Sequence, residues 1–487
     1  MQGEIRKVAG HSATYALGVV AGGLGRVFLI PIVARFLSAD EYGVVALVLA
    51  FVSLVAIVMD MGFSTSLIKF FSEAEEPASK DRVVSTIVLA GVASGVAISM
   101  FLLPLGRVLS SVVFGRADYA HFIYLGLALA LASTLFRVTL SYYQAVPAPT
   151  RYAVVSVVKG ALAVGGAALF VIYLAWGPVG FLVGTILPTA LLSLILIPWL
   201  LRRVGLGFDT GDLKRSLRFG VPLVPSTFAL WGLTYCDIYL LGRLARLEDV
   251  GWYQMGQEIC LGMGLVVTAV QLAWPRFIFA HAGEARAPRV FSLFTDYYAV
   301  VLGVVGLGLS VFAEDIIRVI GSKAYVPAAS VIPILCLATL LFALYGVFAS
   351  GVQIKGRTEF MAFTTAGGLV LNVVLNLVMI PRWGMVGAAS ASVIANIAMC
   401  GAALGISRRF YVIPFSALRL GGTLVLGVAL FGVSTWAEHL PGLAWVLLAK
   451  VAIVAALPVW VMFGFFSTEE RGKVKSLVRD LYHRGAG

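Results

Sequence analysis

Residues 43 to 68 read GVVALVLAFVSLVAIVMDMGFSTSLI, a run in which Asp60 is the one charged side chain. A bilayer core of roughly 30 Å is crossed by about 20 apolar residues in helical conformation, so this run is long enough to span a membrane. Backbone exposed to lipid must satisfy its own hydrogen bonds, which leaves helices or closed barrels. The run lacks the polar–apolar alternation of a barrel strand. It predicts a membrane-spanning helix.

Outward from there the pattern recurs. Punctuating the chain at its charge, Pro and Gly clusters gives fourteen spans, near 12–36, 43–68, 83–105, 119–140, 152–174, 178–200, 219–242, 250–273, 292–313, 329–351, 361–380, 384–406, 416–436 and 443–466. The composition agrees: of 487 residues 60% are apolar and 12% charged, which excludes a water-facing globular surface, a disordered chain and a disulfide scaffold. Cys236, Cys260, Cys336 and Cys400 are scattered in apolar runs without CxxC spacing and read as small core residues. The first run follows Arg6 and Lys7 but has no small-residue cleavage site, which favours a first span over a cleaved signal peptide.

The net charge of +12 follows from topology and not from nucleic-acid binding, which we do not expect. With the N-terminus, the even-numbered loops and the C-terminus on one side, 26 Lys and Arg residues fall there and 8 on the other. A missed or invented span would exchange the sides from that point on and destroy the asymmetry. Fourteen spans with both termini cytoplasmic are therefore expected.

The chain also repeats itself. ARFLSADEYG at 34–43 corresponds to GRLARLEDVG at 242–251, an offset of 208; Gln144 matches Gln353 at 209, and WGPVG at 176–180 matches WGMVG at 383–387 at 207. A unit of six spans, an even number, keeps its orientation, so the halves are related by a pseudo-twofold axis along the membrane normal. The expected organisation is a six-span lobe over 1–200, a basic linker over 201–218, a second six-span lobe over 219–410, two further spans over 411–466 and a basic amphipathic tail over 467–487. In that tail Val474, Leu477, Val478 and Leu481 share a helical face, which suits an interfacial helix on an acidic leaflet or a solvated basic tail.

No residue pattern suggests covalent chemistry. The five histidines make no metal-ligand spacing, no phosphate-binding loop or DxD triplet occurs, and the longest loops hold about 20 residues, too few for a catalytic domain. We expect neither an enzyme nor a cofactor, apart from a coupling proton or sodium ion. Candidate site residues are ionisable or amide groups inside spans, since each charge costs at least about 2.5 kcal/mol at a helix centre. Arg26 in span 1 could grip a phosphate with paired donors, or be neutralised by Asp60. Asp60 could carry a coupling ion or orient Arg26. Asp237 and Glu258, with Gln254 and Gln257 beside the latter, suit an ion site or sugar hydroxyls; the alternative is pairing with Arg243 and Arg246 at the outer interface. Lys450 is near enough to the outer face to snorkel or to meet substrate. Asn372 and Asn376, one turn apart, can bond a neighbouring helix or a substrate, and Arg137 and Lys159 fall near the inner ends of their spans.

IPIVARFLSADEYGVVALV (30–48), DIYLLGRLARLEDVGWY (237–253), AWPRFI (273–278) and LNVVLNLVMIPRWGMVGAASAS (371–392) together resemble the polysaccharide transporters, the O-antigen-type oligosaccharide flippases of the multidrug/oligosaccharidyl-lipid/polysaccharide exporter superfamily. The resemblance implies two lobes about a central cavity that alternates its access. It implies an undecaprenyl-pyrophosphate-linked oligosaccharide, a polyprenyl-pyrophosphate-linked glycan, as cargo, moved to the outer leaflet of a bacterial or archaeal cytoplasmic (inner) membrane. A polysaccharide polymerase or chain-length machinery would then act beside it. Arg26, with Lys159 or Lys450, is the expected pyrophosphate contact. Two relatives stand as alternatives. Lipid II flippases also have fourteen helices, but their first helix carries an adjacent Arg-Asp pair, whereas Val27 follows Arg26 here. Multidrug/cation antiporters usually stop at twelve.

Overall fold

The structure, a computed structural model, describes residues 28–146, 148–320, 323–357, 359–437 and 439–464. Among these residues every regular element is helical and no strand forms. Eleven helices are long and apolar enough to cross a membrane, and each falls on an expected span. One of them, Glu359–Ser407, holds the eleventh and twelfth spans end to end, turned at Gly384 with a left-handed φ of 53°. The seventh span forms as Val224–Leu244 but is not among the eleven, because Ser226, Thr227, Thr234 and Asp237 dilute its apolar residues. Most of the first span, Arg26 with it, and the tail beyond Gly464 lie outside the described residues.

Three spans depart from the expected limits. The second, Ala39–Asp60, opens at Ser38, whose N–H and hydroxyl both donate to Glu41 Oε2 at 2.9 and 3.0 Å. It stops at Asp60 instead of Ile68, because Met61 and Gly62 are both left-handed (φ 45° and 77°) and turn the chain into a separate helix, Phe63–Glu73. The third continues past Pro104 through one 3₁₀ turn to Phe114, so the outer loop expected at 106–118 is mostly helix. The eighth is two helices, Leu247–Ile259 and Leu261–His281, broken at Cys260.

By its contacts the chain divides into two compact units. The first comprises Met1–Glu258, Ile317–Val331 and Thr365–Ala395. The second comprises Ile259–Ile316, Ile332–Thr364 and Asn396–Gly487. In the first, 78% of the 18-residue apolar stretch within Ala39–Asp60 is buried, so protein rather than lipid surrounds most of it. The basic linker is helical over Thr210–Gly220 and is fastened to the Phe63–Glu73 helix and the third span. Asp209 caps it by accepting the Asp212 N–H at 2.9 Å, a bond that also holds the Asp209 carboxyl below the usual carboxylate range. Arg82 pairs with Asp212, Arg215 pairs with Glu73, Lys69 lies 4.0 Å over the Phe219 ring, and a methyl at Gly62 would stand 2.5 Å from Gly220 Cα. In the second unit, Leu307, Val311 and Leu457 centre a cluster that seats the ninth span on the thirteenth and fourteenth.

The sequence repeat reappears as repeated contacts, all within the first unit. A methyl placed on Gly43 would come 2.2 Å from the Leu247 carbonyl oxygen, and one on Gly251 would come 1.8 Å from that of Ala39. Gly43 and Gly251 are 208 residues apart, and so are Ala39 and Leu247, so the contact is its own mirror across the repeat. Gly177 (φ 56°) lies against Glu41, and Gly384 (φ 53°) lies against Asp249, a matching pair again. Gly180 and Gly387 each abut the carbonyl end of the preceding helix, at Phe170 and Met379. The motif WGxVG thus recurs because its first glycine adopts a backbone that disfavours side chains and its second leaves no room for one.

Candidate functional site

Two polar sites form in the first unit. One is a cavity of about 520 Å³ whose wall includes Arg137, Lys159, Glu258, Tyr42, Tyr235, Ser133, Ser156 and Thr189. Arg137 comes from the fourth span, Ala120–Ala145, and Lys159 from the fifth, which begins at Pro149. At about 1.5 Å per residue, Lys159 stands about 15 Å along its helix, deeper than its expected place near the inner face. Lys159 Nζ lies 4.9 Å over the Phe136 ring, which holds the ammonium beside the cavity. Glu258 receives a hydrogen bond from Gln254 Nε2 at 2.9 Å. Among the described residues the cavity therefore presents two cations, one carboxylate and several hydroxyls to its contents.

Asp60 is buried at the inner end of the second span and accepts the Ser64 hydroxyl at 2.5 Å, with the Arg137 guanidinium acting on it through space. The expected Arg26 partnership falls outside the described residues.

The other site is sealed. Asp237 is 3% exposed and accepts hydrogen bonds from four neutral donors: Tyr253 Oη at 2.6 Å, Ser392 Oγ at 2.6 Å, Asn376 Nδ2 at 2.7 Å and, longer, the Cys236 thiol at 3.7 Å. Asn372 ties the group together, giving Nδ2–H to Ser392 Oγ at 3.0 Å and receiving at Oδ1 the Asn376 amide at 3.0 Å and the Cys236 thiol at 2.7 Å. The pairing with Arg243 and Arg246 does not form. Arg243 donates to the Ser111 carbonyl, and Arg246 pairs with Glu248. Among the described residues no base bonds to Asp237. A carboxylate buried without a counter-charge is costly even when hydrogen-bonded. The group also contains an orphan: Asn376 Oδ1 is buried and accepts no hydrogen bond. Carboxylate, amide and hydroxyl oxygens are the donor set of a small hard cation.

The other expected residues separate from these sites. Gln257 is half-buried and makes none of the contacts above. Lys450, in the second unit, is buried and donates to Asp315 Oδ2 at 2.6 Å, so an ion pair takes the place of snorkelling. Tyr253 and Ser392 went unnoticed in the sequence, because one hydroxyl in an apolar span carries no mark. Arg137 and Lys159 carried the same intraspan charge signal as Arg26.

A family model described as "Polysaccharide biosynthesis protein" matches residues 32–330. The chain is 24% identical over 442 residues to the "Probable low-salt glycan biosynthesis flippase" of Haloferax volcanii, covering 85% of this chain and 87% of that one. It is 25% identical over 178 residues to an "Amylovoran biosynthesis protein" of Erwinia amylovora, covering 36% and 45%. Among solved structures, the lipid II flippase MurJ in an inward-closed conformation superposes with a TM-score of 0.74 at 13% identity, over 92% of this chain and 97% of that one. An inward-facing multidrug resistance MATE transporter of the MOP superfamily superposes at 0.67 and 16% identity, over 81% and 97%. These likenesses establish the fold.

Proposed function

The chain belongs to the polysaccharide biosynthesis protein family, the polysaccharide transporters of the MOP superfamily, and from that membership we propose that it carries an undecaprenyl-pyrophosphate-linked oligosaccharide from the cytoplasmic to the outer leaflet. It is a multi-pass membrane transporter of flippase type and not an enzyme. The observation that supports the cargo is the cavity in which Arg137 and Lys159 share one wall system with tyrosine and serine hydroxyls. Two fixed cations suit a pyrophosphate; hydroxyls and aromatic edges suit sugar. The membrane is the cytoplasmic membrane of a bacterium or archaeon, with both termini inside, and a polymerase consumes the product outside. The lobes 1–200 and 219–410 rock as rigid bodies to alternate the access of the cavity.

The drive has two sources. Outward movement of negative charge against an inside-negative potential is favoured by about 2.3 kcal/mol per charge per 100 mV. Inward movement of a proton or sodium ion through Asp237 adds to it, since that carboxylate has the donor set and lacks a counter-charge.

The test is flipping of a short polyprenyl-pyrophosphate glycan in proteoliposomes at an imposed potential. Arg137→Ala and Lys159→Ala should each slow it about tenfold to a hundredfold, the worth of a charged hydrogen bond of about 1.5–3 kcal/mol. Arg26→Ala, measured alongside, shows whether the first span supplies a third cation. Absence of flipping with several glycans, together with export of organic cations, would overturn the cargo in favour of an antiporter. Collapsing the sodium and pH gradients separately at constant potential tests the coupling. Unchanged rates in both arms would remove the ion from the cycle.

A further inference from the structure

Neither polar site uses the facing thiols of Cys260 and Cys336. Cys260 and Cys336 lie in the second unit with their Sγ atoms 3.5 Å apart, both thiols free and buried. The other two cysteines are engaged elsewhere: Cys236 donates to Asn372 Oδ1 and Cys400 to the Leu341 carbonyl. Cys260 occupies the break in the eighth span, between Leu247–Ile259 and Leu261–His281; Cys336 is on the tenth, Ile332–Phe348. Gly306 and Met263 pack beside them: a methyl on Gly306 would stand 3.1 Å from Met263 Sδ and 3.4 Å from Cys336 Cβ. The chain passes from the first unit to the second at Glu258/Ile259 and again at Val331/Ile332, so each cysteine follows closely on a crossing.

We propose that Cys260 and Cys336 form a redox modification site, which a membrane-permeant two-electron thiol oxidant converts to a disulfide that ties the eighth span to the tenth and arrests transport. Each thiol gives up its proton, the S–S bond forms, and two electrons pass to the oxidant; with an azodicarboxamide such as diamide, the N=N bond takes up both electrons and both protons to become a hydrazine. Closing from 3.5 Å to a bonded separation of about 2.05 Å asks each sulfur to move less than the length of a bond, which side-chain rotation supplies. The arrest follows from position. Breaks at helix ends are where a moving transporter absorbs changes of backbone angle, and a cross-link at Cys260 holds that break to its neighbour. The site itself is independent of the transport reading; only the arrest rests on it.

The experiment treats the full-length protein in proteoliposomes with diamide, blocks residual thiols with N-ethylmaleimide and digests it without reductant. The expected product is a peptide pair joined through Cys260 and Cys336, lost on reduction with dithiothreitol and absent from Cys260→Ser and Cys336→Ser. Flipping by the wild type should fall by about tenfold or more, because the break can no longer flex. Reduction should restore it, and both serine variants should be unaffected. No joined pair after exhaustive oxidation overturns the site. A joined pair with unchanged flipping overturns the arrest, as does equal inhibition of the serine variants. If flipping is absent from every sample, reduced wild type included, the cargo reading has failed, while the joined peptide still upholds the site.

Discussion

The two halves of the repeat agree in their backbone contacts and disagree in their chemistry. Gly43 and Gly251 approach each other's helix starts reciprocally, and Gly177 and Gly384 are left-handed glycines against Glu41 and Asp249. Offset by 208, however, Asp237 corresponds to Leu29, which lines the cavity, and Tyr253 to the buried Val45. The first half turns Arg137 and Lys159 toward a cavity; the second adds Tyr235 and Glu258 to the same wall and seals Asp237 apart from it. A duplicated scaffold thus constrains the positions where main chains meet, while side chains between those positions are free to acquire separate tasks.

The comparison can be broken most forcefully at its shared contact. Gly251→Leu places atoms where the Ala39 carbonyl already stands, and overpacking of that kind costs about 3 kcal/mol or more. Gly43→Leu should cost as much. Thermal unfolding in detergent measures both, and an undisturbed midpoint in either would show that the reciprocal contact is dispensable. Next comes the divergent site. Asp237→Ala leaves the Tyr253, Ser392 and Asn376 donors without their acceptor, about 2–3 kcal/mol by the cost of orphaned buried groups. Its sharper signature is ionic: added sodium should raise the wild-type midpoint by preferential binding to the folded state and leave that of Asp237→Ala unmoved, whereas Leu29→Ala should retain the response.

Smaller effects sharpen the symmetry. Gly177→Ala and Gly384→Ala each force a side chain into left-handed backbone, about 1–2 kcal/mol apiece, and the two values should agree within about 0.5 kcal/mol, the spread expected of independent sites. A large difference would mean that the matched dihedrals hide unmatched roles. Smallest are Glu41→Gln and Asp249→Asn, a few tenths of a kcal/mol each by loss of charge at a helix N-terminus, read by chemical unfolding.

Much of the scaffold was legible in the sequence, because hydrophobic length and charge asymmetry act over whole spans. GVVALVLAFVSLVAIVM announces a helix regardless of its neighbours, and WGxVG betrayed the repeat because two glycines had separate reasons to stay. Local interruptions were less legible. Met61 ended the second span though methionine rarely takes a positive φ, and no residue type marked Cys260 as a break. The candidate sites were half-legible. Charge inside a span exposed Asp237, Glu258, Arg137 and Lys159, yet only folding could tell that Asp237 meets Asn376 from 139 residues away while Lys450 is taken up by Asp315.

The turn at Gly384 bears on how the protein is made. With the eleventh and twelfth spans joined helix to helix, a ribosome feeding the translocation channel has almost nothing to thread across between them. The two must enter lipid as one hairpin. That hairpin already contains the Asn372–Ser392 bond, so the Asn372 amide meets hydrocarbon paired, just as the earlier hairpin of spans seven and eight carries Asp237 with Tyr253. Biogenesis then joins two half-satisfied pieces, and a nascent chain stopped before the second arrives exposes an acid in the bilayer, a defect that membrane quality-control proteases are equipped to find.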